Sequence, residues 1–438
     1  MTRRHHGYAM LWAVAALIVA LSATLYAVVA PDDGTPAAAA VPGGGPHGAS
    51  AAPVSAGTWV GSWAAAPVGG EPGTGRAGLA GRSVRNVVHT SASGTRARVT
   101  LSNLYGQSAL TLTHGSVALA AGRGTAAAEA GTMRRLTFGG AVSVVIPAGG
   151  QAVSDAVALR VPRGADVLVT TYSPTASGPV TYHPRARQIS YTAAGDRTED
   201  TGAAGYTGQT PYWRYVTALD VLSDDSDGTL VAFGDSLTDG VTSTTGANRR
   251  WPDVLAGRLR GGAPRYGVVN EGISGNQLLA DGLAAGGNER GVGRFTRDVL
   301  GRPDVRVVVV DLGINDILRN PGLADPDAVV GGLRTLVRSA HAHGVRVVGA
   351  TLMPFRGHRG WTPARERVRQ EINERIRSGR VYDAVTDFDE ALRDPYAPDR
   401  LRPYYDSGDH LHPNDQGFTK MADTLDIPEL NGGGSAAL

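Results

Sequence analysis

The stretch that decides the fold reads Leu230-Val231-Ala232-Phe233-Gly234-Asp235-Ser236-Leu237-Thr238-Asp239-Gly240. Four apolar residues in a row, without alternation, describe a strand buried on both faces, as in a parallel sheet. The glycine and the polar residues after it describe a tight turn at the carboxyl end of that strand. Working outward, residues 267–269, 305–311 and 345–351 repeat the apolar run. Between and after them, residues 251–259, 328–341 and 363–376 read as helices, with Gly344 where a C-terminal cap belongs. Strand, loop and helix in alternation predict an α/β domain with a mostly parallel sheet over residues 228–428. Active sites of such sheets lie at the carboxyl ends of the strands.

Upstream the grammar differs. Arg96-Ala97-Arg98-Val99-Thr100-Leu101 alternates polar with apolar residues, as a half-buried strand does. Leu110 and Leu112 alternate with Thr111 and Thr113, and residues 142–146 and 166–172 are further β-forming runs bounded by proline or glycine. Residues 58–225 are therefore expected to form an all-β sandwich or jelly roll. Gly122-Arg123-Gly124 opens no helix and reads as a turn, not a dinucleotide loop. Trp59 and Trp63 read as core of this domain, with stacking on sugars as the alternative. Only Asp224-Asp225-Ser226-Asp227 separates the two halves, so tight docking is expected.

Arg3 and Arg4 precede an apolar run from Tyr8 to Ala30, long enough at about 1.5 Å per residue to cross a bilayer core. The run reads as an uncleaved signal or membrane anchor, which places the bulk of the chain outside the cytoplasm, anchored or secreted. Residues 31–57, rich in Pro, Ala, Gly and Ser, read as a flexible tether, and residues 429–438 as a flexible tail. Lys+Arg 42 against Asp+Glu 40 leaves a net charge of +2, too balanced for a nucleic-acid partner. The absence of cysteine excludes disulfides, thiolate metal sites and cysteine nucleophiles.

Four loops carry candidate chemistry. They are Gly234-Asp235-Ser236-Leu237, Asn270-Glu271-Gly272-Ile273-Ser274-Gly275-Asn276, Gly313-Ile314-Asn315-Asp316 and Asp409-His410-Leu411-His412. Taken alone, each has a bland reading: a turn serine, an N-cap pair, a surface Asp-x-x-His. Together they change the balance, because three leave the same predicted end of one sheet and the fourth supplies what they lack. A serine needs a base to take its proton, and the base needs a partner to fix its tautomer. The strained Gly-x-Ser-x-Gly elbow is not met, since Thr238 takes the last position. His410 and His412 with Asp406 and Asp409 are the alternative, a metal cluster of non-standard spacing. His341 and His343 read as structural, at a helix end.

These four blocks, in order, resemble the SGNH (GDSL) hydrolase family, with Gly-Asp-Ser-Leu literally at 234–237. The resemblance implies an SGNH-type three-layer α/β/α domain, with Ser236 as nucleophile, His412 as base and Asp409 as its partner. It further implies an oxyanion hole from Ser236, Gly275 and Asn315, and a reaction that needs no metal or cofactor. Trp63, Leu101-Ser102-Asn103 and Arg250-Trp251-Pro252-Asp253 resemble an arylesterase/acylhydrolase-like subgroup associated with xylan-degrading systems. The expected function is thus an extracytoplasmic esterase acting on acetylated carbohydrate or on small acyl or aryl esters. A lysophospholipase or lipase, and an inactive cell-surface carbohydrate-binding protein, are the alternatives.

Overall fold

The apolar runs of the C-terminal half pair side by side into one parallel sheet of five strands. The computed structural model describes residues 57–282 and 287–431. The expected anchor, nearly all of the tether and most of the tail lie outside them. Across the sheet the order is Tyr266–Asn270, Gly228–Gly234, Val305–Asp311, Arg346–Ala350 and Ala384–Thr386. The last strand, only three residues long, is too short for an apolar run to announce it. Val307, Val308, Val309 and Val310 are all fully buried, which explains a strand without alternation.

The strand first in the chain lies second in the sheet, so its two neighbours are the next two strands in the chain, one on either side. That reversal opens a crevice beyond the carboxyl ends of Gly228–Gly234 and Val305–Asp311. Among the helices, Trp251–Arg258 packs with Asp415–Thr424, and Pro326–His341 with Pro363–Arg377. Pro326–His341 shows why such segments are helical. Asp325 caps its N-terminus, proline occupies the first turn, and Val329, Val330, Leu333, Leu336, Val337 and Ala340 form one buried stripe. It ends where Gly344 turns left-handed at φ +68°, letting the Val345 N–H donate back to the Ala340 carbonyl at 3.0 Å.

In the N-terminal half every strand pairing is antiparallel. A four-stranded sheet carries Thr58–Ala64, Val216–Ser223, Arg96–Ser102 and Gln151–Val153, and a six-stranded sheet is centred on Arg82–His89 and Asp166–Ser173. Val60, Val99, Leu219 and Val221 of the first share a core with Val88, Val117, Val167 and Val169 of the second. Val87 and Leu168, one residue along, pack on the opposite face with Tyr191, as a period of two requires. The run expected at 142–146 is a strand only from Val144, because a turn joining Phe138 and Ala141 precedes it. Trp63 is buried edge-on against Trp213 at 4.8 Å, which makes it core. The ring of Trp59 is half-buried and lies under the Arg98 guanidinium.

The two halves meet along the strands Thr58–Ala64 and Tyr266–Asn270. Two glycines permit the approach: a Cβ at Gly267 would sit 2.2 Å from the Gly61 carbonyl oxygen, and one at Gly61 would sit 2.8 Å from Val269. The Gly61 N–H donates to Thr229 Oγ1 at 2.9 Å, and the Val268 N–H donates to Ser91 Oγ at 2.8 Å. Ala64 and Ala218 are counted in the core of the parallel sheet, so the halves share buried apolar surface.

Candidate active site

Ser236 stands on the first turn beyond the strand Gly228–Gly234. Gly234 is needed there, since a Cβ would meet Thr238 Oγ1 at 2.1 Å. Asp235 then caps a single helical turn, Ser236–Asp239, by accepting the Leu237 N–H at 3.0 Å, and Gly240 ends it left-handed. As the first helical residue Ser236 leaves its N–H without an intrahelical partner. Its Oγ lies 2.8 Å from His412 Nε2, and His412 Nδ1 lies 2.6 Å from Asp409 Oδ2. A carboxylate only accepts, so Nδ1 carries the proton and Nε2 accepts from the serine hydroxyl. Burial would raise Asp409. The hydrogen bonds from the His412 ring and from the His412 and Leu411 N–H groups outweigh it and hold the carboxyl well below the usual range.

The neighbouring loops are tied to this turn. Asn315 Nδ2 donates to Asp235 Oδ2 at 3.0 Å, and Asn270 Nδ2 donates to the Thr238 carbonyl at 2.7 Å. Asp316 is no mere cap: its two oxygens accept the Leu278 and Leu279 N–H groups at 2.7 and 3.0 Å, fastening the second loop to the third. Gly275 takes φ +75°, and a Cβ there would lie 2.2 Å from the Arg319 guanidinium. Ser236, Gly275, Asn315 and His412 all line one cleft of about 490 Å³. A hydroxyl hydrogen-bonded to an oriented imidazole, facing amide donors across a cleft, can perform acyl transfer.

Residues 232–420 match the model of the GDSL-like lipase/acylhydrolase family. The match lies within the α/β half. No curated protein matches the chain. Among solved structures, the chain is similar to Est24, a carbohydrate acetylesterase from Sinorhizobium meliloti, at 16% identity over 44% of this chain and 94% of that one, with a TM-score of 0.36. It is similar to a GDSL-like lipase from Bacteroides thetaiotaomicron at 20% identity, over 45% and 84% of the two chains, with a TM-score of 0.33. LAE5, an alpha/beta hydrolase enzyme from the metagenome of Lake Arreo, shares 22% identity over 48% and 98%, with a TM-score of 0.36.

Beneath Ser236 lie two buried carboxyls, Asp235 and Asp311. Burial raises both well above the ordinary carboxylate range, and repulsion from Asp311 adds to the rise at Asp235. Asp235 accepts two N–H groups, whereas Asp311 has the Thr238 hydroxyl at 3.3 Å. The two carboxyls titrate together as one pair. A raised acid stabilises the fold fully below its unfolded value of about 4 and loses that stabilisation as pH climbs to the folded value. The melting temperature is expected to fall between about pH 5 and pH 8. Asp311→Asn, which keeps the shape and cannot ionise, should make that fall shallower, the part due to the buried Glu271 carboxyl remaining. An equally steep fall in the variant would show that the pair is not its source.

The α/β half also leans on the β-half for its site. His183 Nε2 lies 3.0 Å from Asp239 Oδ1, while His183 Nδ1 meets the Ala66 carbonyl at 2.8 Å. The other oxygen of Asp239 accepts from the Ser274 N–H at 3.0 Å and from its hydroxyl, one residue before Gly275. Both partners of the His183–Asp239 pair are buried, so His183→Ala leaves a carboxylate without its counterpart. The loss expected in a denaturant titration is roughly 3–5 kcal/mol, and a loss below about 1 kcal/mol would mark the pair as incidental.

Three features of the site went unread in the sequence: the Asp235–Asp311 pair, the His183–Asp239 contact, and Arg185, Arg319, His358 and Arg359 in the cleft wall. Arg319, four residues after Asn315 on one helix, was open to detection from spacing. Arg185 carried no local signal. Elsewhere each neighbouring histidine has its own aspartate, His410 with Asp406 at 2.7 Å and His412 with Asp409. His341 meets Asp383 at the end of its helix, and His343 meets the Ser339 carbonyl. The Arg250–Asp253 block is a helix start, with Arg250 paired to Asp253 and Trp251 fully buried.

Proposed function

We propose that the protein hydrolyses carboxylic esters of small acyl groups with Ser236 as nucleophile, His412 as general base and Asp409 as its orienting partner. The observation that carries this reading is the unbroken run of hydrogen bonds from Asp409 through His412 to Ser236 at the wall of the cleft. Ser236 Oγ attacks the carbonyl carbon as its proton passes to His412 Nε2, and Asp409 stabilises the imidazolium so formed. The N–H groups of Ser236 and Gly275 and the Asn315 amide are assigned to the developing oxyanion. His412 then returns the proton to the leaving alcohol, and water repeats the cycle on the acyl-enzyme.

Small esters, including acetylated carbohydrate, fit better than long-chain lipids because among the described residues only Val241, Leu318 and Leu411 offer large apolar side chains in the wall. A series of p-nitrophenyl esters tests this. The rate is expected to be highest at two to four acyl carbons and low at sixteen, and the reverse order would favour the lipase reading. Silence across the series and on acetylated xylan would favour the binding-protein reading. The apolar run Tyr8–Ala30 supports an extracytoplasmic location, for which accessibility of the intact protein to protease added outside cells is the test.

A further inference from the structure

The wall of the catalytic cleft is charged in one sense. Arg185, Arg319 and Arg359 line it, and among the described residues no aspartate or glutamate does. They come from three separate places: Arg185 from the turn after the strand Thr181–His183 of the β-half, Arg319 from the end of the helix Ile314–Arg319, and Arg359 from the loop before the helix Pro363–Arg377. Several other arginines of this chain are closely paired. Arg214 is held by Glu71, Arg294 by Asp298, Arg369 by Glu366 and Asp389, and Arg377 by Asp387 and Asp389. Among the described residues none of the three cleft arginines meets a carboxylate, and all three are solvent-exposed. Three like charges thus line one cleft.

Arg319 is fixed where it matters most. It presses against Gly275, and its Nε points to Asn315 Oδ1 at 3.4 Å. Its charge thus stands beside two of the groups assigned to the oxyanion. His358 adds a neutral donor to the same wall: its Nδ1 accepts the Gly360 N–H at 3.2 Å, which leaves the proton on Nε2. Guanidinium forks match carboxylate, sulfate and phosphate oxygens.

We propose that the cleft selects esters carrying an anionic oxygen group near the scissile bond, held by Arg185 and Arg359 with Arg319 behind them. This rests on the esterase reading of the same cleft, and it gives the β-half, through Arg185, a share in substrate choice.

The test compares matched esters on the full chain. On the alcohol side these are 4-acetoxybenzoate, 4-acetoxyphenyl phosphate, the uncharged methyl 4-acetoxybenzoate and the cationic 4-acetoxy-trimethylanilinium. On the acyl side they are mono-p-nitrophenyl succinate and p-nitrophenyl butyrate. Each kcat/KM is divided by the ester's rate with hydroxide, to remove intrinsic reactivity. A preference for anionic over uncharged esters of about tenfold or more is expected on at least one side, shrinking at high salt. It should fall toward one in the Arg185→Ala/Arg359→Ala double variant. The benzoate and phosphate arms tell which anion fits. No preference on either side, a preference for the cation, or a preference untouched in the double variant would overturn the proposal while leaving the esterase reading intact. Binding of 4-hydroxybenzoate and succinate to Ser236→Ala protein, followed by calorimetry, separates the other case. Arginine-dependent binding without hydrolysis of any ester would sink the esterase reading and keep the anion site, and absence of both would sink the two together.

Discussion

Replacing Ser236 by alanine is expected to lower kcat on p-nitrophenyl acetate by a factor on the order of 10⁴–10⁶, the size of effect seen when a triad serine is removed. The fold should survive. The turn that carries Ser236 is held by the Asp235 carboxylate, by Gly240 and by the Asn315–Asp235 bond, none of which uses the serine hydroxyl. Among the described residues the hydroxyl's partner is His412, so its loss breaks that hydrogen bond. A serine-directed phosphonate should label Ser236 in the native protein and nothing in the variant. A label on another serine, or an alanine variant within tenfold of the native rate, would remove Ser236 from the mechanism.

His412→Ala is expected to cost a similar factor, on the order of 10⁴–10⁶ in kcat, whereas a change at His410 should stay within a few-fold. The two residues are neighbours in sequence but not in role. His412 spans Asp409 and Ser236, while His410 turns to Asp406, whose carboxylate also accepts the Gly408 and His410 N–H groups. His410 stands at φ +63°, so asparagine, which tolerates that conformation, is the better substitute than alanine. Comparable losses at both positions would point to the loop as a whole and not to His412. The contrast should also hold in phosphonate labelling, with His412→Ala protein reacting slowly and His410→Asn protein reacting at nearly the native rate.

What the sequence determined by itself was local. Runs without alternation marked the strands Gly228–Gly234 and Val305–Asp311, because a strand covered on both faces must be apolar throughout. The Asp409–His412 pair was legible too, since a spacing of three lets Asp409 accept the Leu411 and His412 N–H groups and still reach the imidazole. What only the tertiary structure decided was which distant loops meet. Ser236 and His412 come together because the helices Trp251–Arg258 and Asp415–Thr424 pack, Thr242 Oγ1 donates to the Pro413 carbonyl at 2.6 Å, and the Thr244 N–H donates to Asp415 at 2.9 Å. Asp316 read as a cap, yet its oxygens fasten Leu278 and Leu279, a choice between solvent and a loop nearly forty positions away that no local pattern records. Arg185 and His183 reach the cleft and its second loop only because Gly61 and Gly267 let two backbones approach, so that shared burial seats the β-half against the parallel sheet. Periodicity and spacing report on a residue's own element; the identity of its partners across the fold depends on packing between elements, where the physical preference is for burial and not for any particular neighbour.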